Sequence, residues 1–186
     1  LHLLSRRQRQ MCIRDSIWNG MTATDELKNQ INFSSAYMNN SQIAVIRKAD
    51  AAKYKDLASM SGAKVVAEAG SAGEIAVKAD AGLSKSYLPV KDQGTSLMEV
   101  KSKTADIAII DAVTAAGSIG EGTDYDDLMI VDVISSADSE VYAVGIRKSD
   151  TELTAKINAA IKELYDDGTL AKLAEKYNLS GRVIAQ

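Results

Sequence analysis

Short apolar runs rich in Val and Ile alternate with helical segments from Ile17 onward, and this alternation restricts the possible folds more than any other feature. We predict strands at residues 43–46, 64–67, 87–90, 106–110, 129–134 and 141–146. The alternation indicates an α/β layered fold in which helices flank a mostly parallel sheet. The run 106–110 is apolar on both faces, as in a strand covered on both sides. Pro89 makes its run an edge or irregular strand, because proline has no N–H to donate to a neighbouring strand.

Helix starts are predicted where a serine is followed three residues later by a glutamate, which is the spacing of a capping box. The pairs are Ser71 with Glu74, Ser96 with Glu99 and Ser149 with Glu152. Apolar residues at helical spacing then predict a C-terminal helix that ends at Asp167-Gly168. A second helix follows, marked by Leu170, Leu173 and Tyr177.

The first sixteen residues differ in composition from the rest of the chain. They are basic, contain its single His (His2) and its single Cys (Cys12), and show no apolar period. Because the run also resembles a translated sequencing-adapter tail, we interpret residues 1–16 as a non-native or disordered tail. The alternative is a basic arm that binds nucleic acid or lipid. No export signal is visible there, so we expect any signal that the protein needs to be absent from this chain.

Composition and motif content argue against several classes of function. The 22 basic and 25 acidic residues give a net charge of -3, which calls for neither nucleic acid nor an anionic membrane as a partner. With His2 and Cys12 both in the doubtful tail, we expect no disulfide, zinc site or nucleophilic triad. Asp106 and Asp111 fall on opposite faces of a regular strand, unlike an acid/base pair. We therefore expect no catalytic residue, no metal site and no cofactor.

Two features are suited to binding a small ligand. The glycine turn of residues 68–74 follows a strand and opens a helix, where backbone N–H groups attract an anion. Asp111 ends an apolar strand, where open α/β sheets place their ligands, and its carboxylate could hold an ammonium group. The alternatives are a plain strand-to-helix turn and a cap for the helix that starts near Val113. The residues alone leave both pairs of alternatives open.

Seven short motifs, in order and at family spacing, resemble the amino-acid-binding proteins of ABC importers. This group is solute-binding protein family 3, which has the type II periplasmic-binding fold. The motifs are Ile17-Trp18-Asn19-Gly20-Met21-Thr22, Ile31-Asn32-Phe33-Ser34 with Tyr37-Met38, residues 42–47, Gly70-Ser71-Ala72-Gly73, residues 105–111, residues 142–148 and Asp167-Gly168-Thr169-Leu170. The resemblance runs from about residue 17 to residue 177.

The resemblance implies two lobes joined by two crossing strands, with an amino acid clamped between the lobes. We expect residues 17–46 to form a partial first lobe and residues 47–140 a complete second lobe. Residues 141–186 would return to the first lobe and add the C-terminal helices. The family's first lobe begins well before the Gly20 loop, and that stretch has no counterpart here. We therefore expect an N-terminally truncated fragment with an incomplete site.

Site residues follow from the resemblance by position: Gly20, Thr22, Glu68, Ser71, Ala72 and Asp111. The first two would contact the ligand from the first lobe, and Ser71 and Ala72 would meet its carboxylate from the second. Asp111 would hold the α-ammonium group, and Glu68 would read the ligand side chain.

One departure from the family concerns the arginine that usually clamps the ligand carboxylate. Leu27 stands at that position, with Lys28 beside it, and lysine is not an equivalent fork. Either backbone N–H groups hold the carboxylate, or the ligand is not a standard α-amino acid.

The function implied is that of an extracytoplasmic solute-binding subunit, in the periplasm or as a surface lipoprotein. It would deliver an amino acid or a related small polar ligand to the membrane subunits of an ABC permease. The full-length protein would be a monomer that binds no nucleic acid. Glu68 and Asp111 make the expected cleft acidic, which favours a polar or basic amino acid. Alternatives are an enzyme on the same fold, of the dehydratase or peptidoglycan lyase type, and the sensing domain of a membrane receptor.

Overall fold

The structure, a computed structural model, describes residues 15–134 and 140–186. The chain divides into two compact units: unit 1 comprises Leu1–Asn39 and Glu140–Gln186, and unit 2 comprises Asn40–Ser139. Residues 40–46, which the sequence assigned to the first lobe, therefore lie in unit 2. The reason is that strand Gln42–Arg47 is hydrogen-bonded on both sides to strands of that unit.

The strands and helices predicted after residue 42 appear in the expected order, and those before it were not predicted. In chain order the strands are β1 (Ser16–Ile17), β2 (Asn32–Phe33), β3 (Met38–Asn40), β4 (Gln42–Arg47), β5 (Val65–Glu68), β6 (Tyr87–Val90), β7 (Ile107–Asp111), β8 (Leu128–Val133), β9 (Glu140–Tyr142) and β10 (Gly145–Ile146). The α-helices are α1 (Asp25–Gln30), α2 (Ala72–Ala79), α3 (Gln93–Lys101), α4 (Ala112–Ser118), α5 (Thr151–Asp166) and α6 (Thr169–Lys176). Short 3-10 helices lie at Lys48–Asp50, Ala58–Met60 and Leu83–Ser86. None of the described helices is long and apolar enough to cross a membrane.

Unit 2 contains a five-stranded sheet in the order β6-β5-β7-β4-β8. β5 runs parallel to β6 and β7, whereas β4 runs antiparallel to β7 and β8. Strands β5, β6, β7 and β8 therefore run in the same direction and β4 runs against them, which agrees with the predicted mostly parallel sheet. The edge position of β6, which contains Pro89, and the central, fully buried position of β7 agree with the sequence prediction.

The core of unit 2 covers both faces of this sheet. Successive residues of a strand point to opposite faces, and β7 follows this rule. Ala108 and Ile110 join one buried cluster with Leu97 and Val100 of α3, whereas Ile107 and Ile109 join the other. The second cluster includes Val77 of α2, Tyr54, Met60 and Leu83. Helices and loops on both faces therefore hold the strand ends in fixed positions.

Unit 1 contains a three-stranded antiparallel sheet in the order β1-β10-β2, and β3 pairs with β9 in a separate sheet. The single strand predicted at residues 141–146 is thus two strands in two sheets. Between β9 and β10 the Ser34 hydroxyl accepts the Val144 N–H at 2.9 Å. Val144, Ile146 and Ile161 are buried together, with Leu153, Ile157 and Leu170 packed against them.

The predicted tail falls largely outside the described residues, which begin at Asp15. Its boundary at residue 16 is two residues too late. Ser16 pairs with Ile146 in the β1–β10 ladder, and Asp15 forms an ion pair with Arg147. The sequence missed these two residues because a two-residue edge strand shows no apolar period.

Of the three serines predicted to cap helices, one is a cap residue in the structure and two are not. Ser71 caps α2, because its hydroxyl accepts the Glu74 N–H at 3.2 Å. α3 instead begins at Gln93 with Asp92 as its cap, which leaves Ser96 buried inside the helix. Asp150 rather than Ser149 occupies the cap position of α5, without a side-chain hydrogen bond to the helix. In both cases an aspartate, an equally good cap, lies nearby and was overlooked. Asp167-Gly168 ends α5 as predicted, with Gly168 in the left-handed region at φ 76°.

Candidate ligand-binding site

Four structural elements of unit 2 meet at the side of the sheet where strands β5, β6 and β7 end. We refer to this side, which is not an edge strand, as an edge of the sheet. Glu68 is the last residue of β5 and Asp111 the last of β7, and α2 and α3 begin beyond the ends of β5 and β6. Gln42 opens the antiparallel strand β4 and pairs with Asp111 in the ladder. We call the part of this edge that carries Glu68, Asp92 and Asp111 the acidic edge. It is the edge at which open α/β sheets bind their ligands.

Asp111 is 5% exposed, and three side-chain amides donate to its carboxylate. Asn40 Nδ2 and Gln42 Nε2 donate to Oδ1 at 2.7 and 2.6 Å, and Gln93 Nε2 donates to Oδ2 at 2.6 Å. Asp111 occupies the cap position of α4, but its carboxylate turns toward these amides instead of capping the helix. The capping alternative left open by the sequence therefore does not explain this side chain. A buried carboxylate held by neutral donors is an arrangement suited to a cationic partner.

Gln42 links Asp111 to the start of α2. Its Nε2 lies 2.6 Å from Asp111 Oδ1, and its Oε1 lies 3.0 Å from the point that a Cβ on Gly73 would occupy. The same point is 3.2 Å from the carbonyl oxygen of Ile109 in β7. Glycine at this position thus lets the first turn of α2 approach the sheet closely. The helix start and the Asp111 carboxylate are consequently separated by one amide side chain.

The turn before α2 is fixed by a network of hydrogen bonds. Gly70 has a φ of +76°, a left-handed conformation that favours glycine, and its N–H donates to Glu74 Oε2 at 2.6 Å. The Ser71 hydroxyl donates to the Glu68 carbonyl at 2.7 Å and accepts the Glu74 N–H. The first N–H groups of a helix have no acceptor within it, and those at this start include Ala72. A fixed turn of this kind can present N–H groups to an anion.

Glu74 is itself held from two further sides. Tyr87 donates its hydroxyl to Glu74 Oε1 at 3.1 Å, and Lys78 Nζ lies 2.8 Å from the same oxygen. Lys78 lowers the pKa of Glu74 most, and the Gly70 N–H lowers it further. The charged form of Glu74 is thus favoured. Its carboxylate connects α2 to the Gly70 turn and to Tyr87 of β6 by hydrogen bonds.

The electrostatics of the acidic edge differ from one carboxylate to the next. Burial raises the pKa of Glu68 above its ordinary value, and the negative charges of Asp111 and Asp92 raise it further. The backbone N–H of Gln93 opposes this shift in the pKa of Glu68. The Thr95 N–H and hydroxyl lower the pKa of Asp92, which caps α3. Bringing a cation to this edge would relieve the repulsion among the three carboxylates.

Gly20 and Thr22, the other two site residues predicted from the family motifs, belong to unit 1. Thr22 bridges to Tyr142, and the neighbouring Ala23 N–H donates to the Val141 carbonyl at 3.0 Å. Gly20 is exposed, and a Cβ there would lie 3.4 Å from the Tyr142 ring. The loop is thus anchored on β9 in a defined position. A role for Gly20 and Thr22 in ligand binding stays a prediction.

The position of the family arginine lies in α1 of unit 1. Leu27 is half-buried, and its N–H donates to the Thr24 side chain that caps the helix. Lys28 is exposed and pairs with Asp25 at 2.8 Å. The contacts of both residues are explained by local helix structure. Neither residue supplies the guanidinium group with which the family arginine clamps the ligand carboxylate.

Sequence reasoning missed Asn40, Gln42, Asp92 and Gln93. Asp92 with Thr95 has the spacing of a helix cap after a predicted strand, which would have placed Gln93 at the correct edge. No local signal connects Asn40 or Gln42 with Asp111, which lies about 70 residues further along the chain.

Gly73 and Gly117, two helical glycines, give a direct test of the close approach of α2. Gly73→Ala is expected to lower the free energy of unfolding by about 1–3 kcal/mol, because a methyl group would push against the Ile109 carbonyl and the bound Gln42 amide. A Cβ at Gly117 in α4 would meet no neighbouring atom within 4 Å, so Gly117→Ala should raise the free energy of unfolding by about 0.5–1 kcal/mol. Urea unfolding followed by circular dichroism measures both. Equal effects of the two changes would contradict the close packing.

Residues 13–180 match the sequence model of a family described as bacterial extracellular solute-binding proteins, family 3. The chain belongs to this family. Over 167 residues it is 33% identical to the arginine-binding extracellular protein ArtP of Bacillus subtilis. That match covers 88% of the chain but 62% of ArtP, so the chain spans less than two thirds of this family 3 relative.

Solved structures extend the comparison within the family. An amino acid ABC transporter substrate-binding protein from Streptococcus pneumoniae, bound to L-arginine, matches with a TM-score of 0.77 at 27% identity. The match covers 92% of this chain and 69% of that one. An ancestral amino acid-binding protein, a precursor of cyclohexadienyl dehydratase, matches at 30% identity with a TM-score of 0.75, over 88% of this chain and 68% of its own. The predicted α/β type II periplasmic-binding fold is confirmed. The relatives are named as binding proteins, which agrees with a solute-binding role.

Proposed function

We propose that this chain is the solute-binding subunit of an ABC importer and that it binds a basic amino acid. The observation that carries the proposal is the acidic edge of unit 2, which lies beside the N-terminus of α2. An α-amino acid needs a partner for its ammonium group and another for its carboxylate, close together. Asp111 and the helix start offer these two partners side by side.

Asp111 is the proposed partner of the ligand's α-ammonium group. Its carboxylate is 5% exposed, and three neutral amides donate to it, so a ligand cation would add a charge-assisted hydrogen bond. Ser71 and Ala72 at the start of α2 are the proposed partners of the ligand carboxylate. This arrangement supplies backbone N–H groups in place of the arginine that Leu27 replaces.

Glu68 is the proposed partner of a cationic ligand side chain, with Asp92 adding to the negative potential. The two residues end β5 and precede α3, on the same edge as Asp111. Their negative charge would attract a guanidinium or ammonium group and disfavour an acidic side chain. The arginine-binding names of ArtP and the bound L-arginine of the Streptococcus pneumoniae protein support this choice.

The setting proposed for this activity is the outside of the cytoplasmic membrane. The relatives are described as extracellular solute-binding proteins, and the Streptococcus pneumoniae protein is named for an amino acid ABC transporter. We propose that the liganded protein delivers its amino acid to the permease subunits of such a transporter without catalysing a reaction.

The proposal is tested by titrating the purified chain with arginine, lysine, glutamine and glutamate. NMR chemical shifts suit this purpose because they measure dissociation constants into the millimolar range. We expect arginine and lysine to bind, with Glu68→Gln weakening both about tenfold and leaving glutamine nearly unchanged. Glu121→Gln, at an exposed position of unit 2, serves as a control for the loss of one negative charge. Binding of glutamate in preference to arginine would exclude the proposed ligand class.

The same titration has an expected pH dependence. Glu68 has a raised pKa, and its protonated form has no charge to offer a cationic side chain. Arginine affinity is therefore complete above the Glu68 pKa and falls as the pH drops through it, a dependence that Glu68→Gln should remove.

A further inference from the structure

We infer that Gln93 is a positioning residue that directs the Asp111 carboxylate toward the ligand's ammonium group and so makes the site depend on that group. This inference rests on the proposed function, because it deepens the role of Asp111 as the ammonium partner. None of the seven motifs that carry the family resemblance includes Gln93, and its role follows from contacts in unit 2.

Gln93 forms two hydrogen bonds with Asp111. Its Nε2 donates to Asp111 Oδ2 at 2.6 Å, and its Oε1 accepts the Asp111 backbone N–H at 3.1 Å. One planar amide thus fixes both the main chain and the carboxylate of the same residue. Such a two-point contact restricts the rotation of the Asp111 side chain more strongly than one hydrogen bond can.

The donors around Asp111 determine which of its oxygen atoms can bind a ligand. A carboxylate oxygen has about two acceptor positions, and Oδ1 uses both for Asn40 and Gln42. Among the described residues, the side chain of Gln93 is the one that donates to Oδ2, which leaves an acceptor position on that oxygen. Gln93 therefore sets the direction in which this remaining position points.

Gln93 is in turn held by the start of α3. It is the first residue of the helix, directly after the cap residue Asp92. Asp92 Oδ1 accepts both the N–H and the hydroxyl of Thr95 at 2.7 Å, which fixes this turn. One neutral residue, itself fixed by the helix start, thus orients the Asp111 carboxylate and leaves its charge uncompensated.

A pair of ligands separates this positioning role from a general structural one. L-Arginine has an α-ammonium group, whereas 5-guanidinopentanoate is the same molecule without it. We expect Gln93→Met, which keeps the length of the side chain but removes its donor and acceptor, to weaken L-arginine binding about tenfold. Binding of 5-guanidinopentanoate should stay within about twofold, because this ligand makes no use of Asp111. Gln30→Met, on an exposed position of α1, is the matched control and should change neither value.

A second variant keeps the test decisive if Gln93→Met fails to fold, which circular dichroism reveals. Gln93→Lys would place a permanent ammonium group against Asp111, in competition with that of the ligand, and should weaken L-arginine binding about a hundredfold. The loss for 5-guanidinopentanoate should be clearly smaller.

The outcomes distinguish the inference from the function on which it rests. Equal losses for both ligands in the Gln93 variants, or no loss for L-arginine, would overturn the positioning role while the proposed function stands. Failure of the unaltered chain to bind any basic amino acid would overturn the proposed function itself. A loss confined to L-arginine supports both.

Discussion

Asp111→Ala is expected to lower the free energy of unfolding by about 3 kcal/mol and to weaken binding of a basic amino acid by about 2 kcal/mol or more. The stability loss has a structural cause. The side-chain amides of Asn40, Gln42 and Gln93, the first two buried, all donate to the Asp111 carboxylate, and its removal takes that acceptor from all three. Each unsatisfied buried donor costs about 1–3 kcal/mol, and rearrangement of the amides should recover part of the sum.

The affinity loss follows separately from the proposed role of Asp111. A buried ligand ammonium would lose its charged partner, which is more costly than losing a neutral one. Asp111→Asn keeps the shape of the side chain but replaces one acceptor by a donor. This change should lower the free energy of unfolding less than Asp111→Ala does, and it should weaken ligand binding almost as much.

Denaturant unfolding and NMR titration with L-arginine measure the two effects. Asp126→Ala, which removes an exposed carboxylate from the same unit, is the control and should change each quantity by less than about 0.5 kcal/mol. If the folded Asp111→Asn protein bound arginine as tightly as the unaltered one, the ammonium role of Asp111 would be wrong.

Arg47→Met is expected to lower the free energy of unfolding by about 3 kcal/mol without changing the affinity of the folded protein for its ligand. The Arg47 side chain is 12% exposed, and its guanidinium makes two ion pairs, with Asp50 at 2.6 Å and with Asp106 at 3.3 Å. It also donates to the carbonyl oxygens of Val100 and Ala105 at 2.7 Å each, at the end of α3 and in the following turn. Methionine replaces the length of the side chain but none of these contacts.

Ligand affinity should be insensitive to this change because Arg47 lies at the opposite end of the sheet from the acidic edge. It ends β4, whereas Gln42 begins that strand, and Asp106 directly precedes β7, which Asp111 ends. Arg47→Lys should still cost about 2 kcal/mol, since one ammonium group cannot reproduce the four directions of the guanidinium contacts.

Lys48→Met, at the adjacent exposed position, is the matched control for loss of a positive charge. Thermal and urea unfolding provide the stability values, and titration of the folded variant provides the affinity. A stability change as small as that of Lys48→Met would show that the Arg47 contacts contribute little. A change in affinity would show that the two ends of the sheet are coupled.

Together the Asp111 and Arg47 variants assign separate tasks to the two ends of one sheet. Asp106 and Asp111 belong to the same apolar run in the sequence, yet one is neutralised by Arg47 and the other is surrounded by neutral amides. The charge environment, and not the residue type, makes Asp111 the candidate for ligand binding.

Local patterns in the sequence determined the α/β class, the order of the elements from β4 onward and several boundaries. Apolar alternation identified the central strand β7, and Pro89 identified the edge strand, because missing N–H donors exclude proline from the middle of a sheet. Ser71 and Gly168 identified one helix start and one helix end, since each acts on the backbone within three or four residues. The family motifs added the candidate site residues, of which Glu68, Ser71, Ala72 and Asp111 lie at one sheet edge.

Only the tertiary structure decided what surrounds Asp111 and how the sheet is arranged. Asn40 and Gln42 reach Asp111 across about 70 residues of chain because β4 enters the sheet antiparallel to β7, and a hydrophobic pattern does not encode strand direction. Gln93 reaches it because α3 starts at the same edge, after a cap at Asp92 that the sequence assigned to Ser96 instead. These contacts depend on distances between separate strands and helices. Local propensity acts within one turn or one strand and cannot specify them.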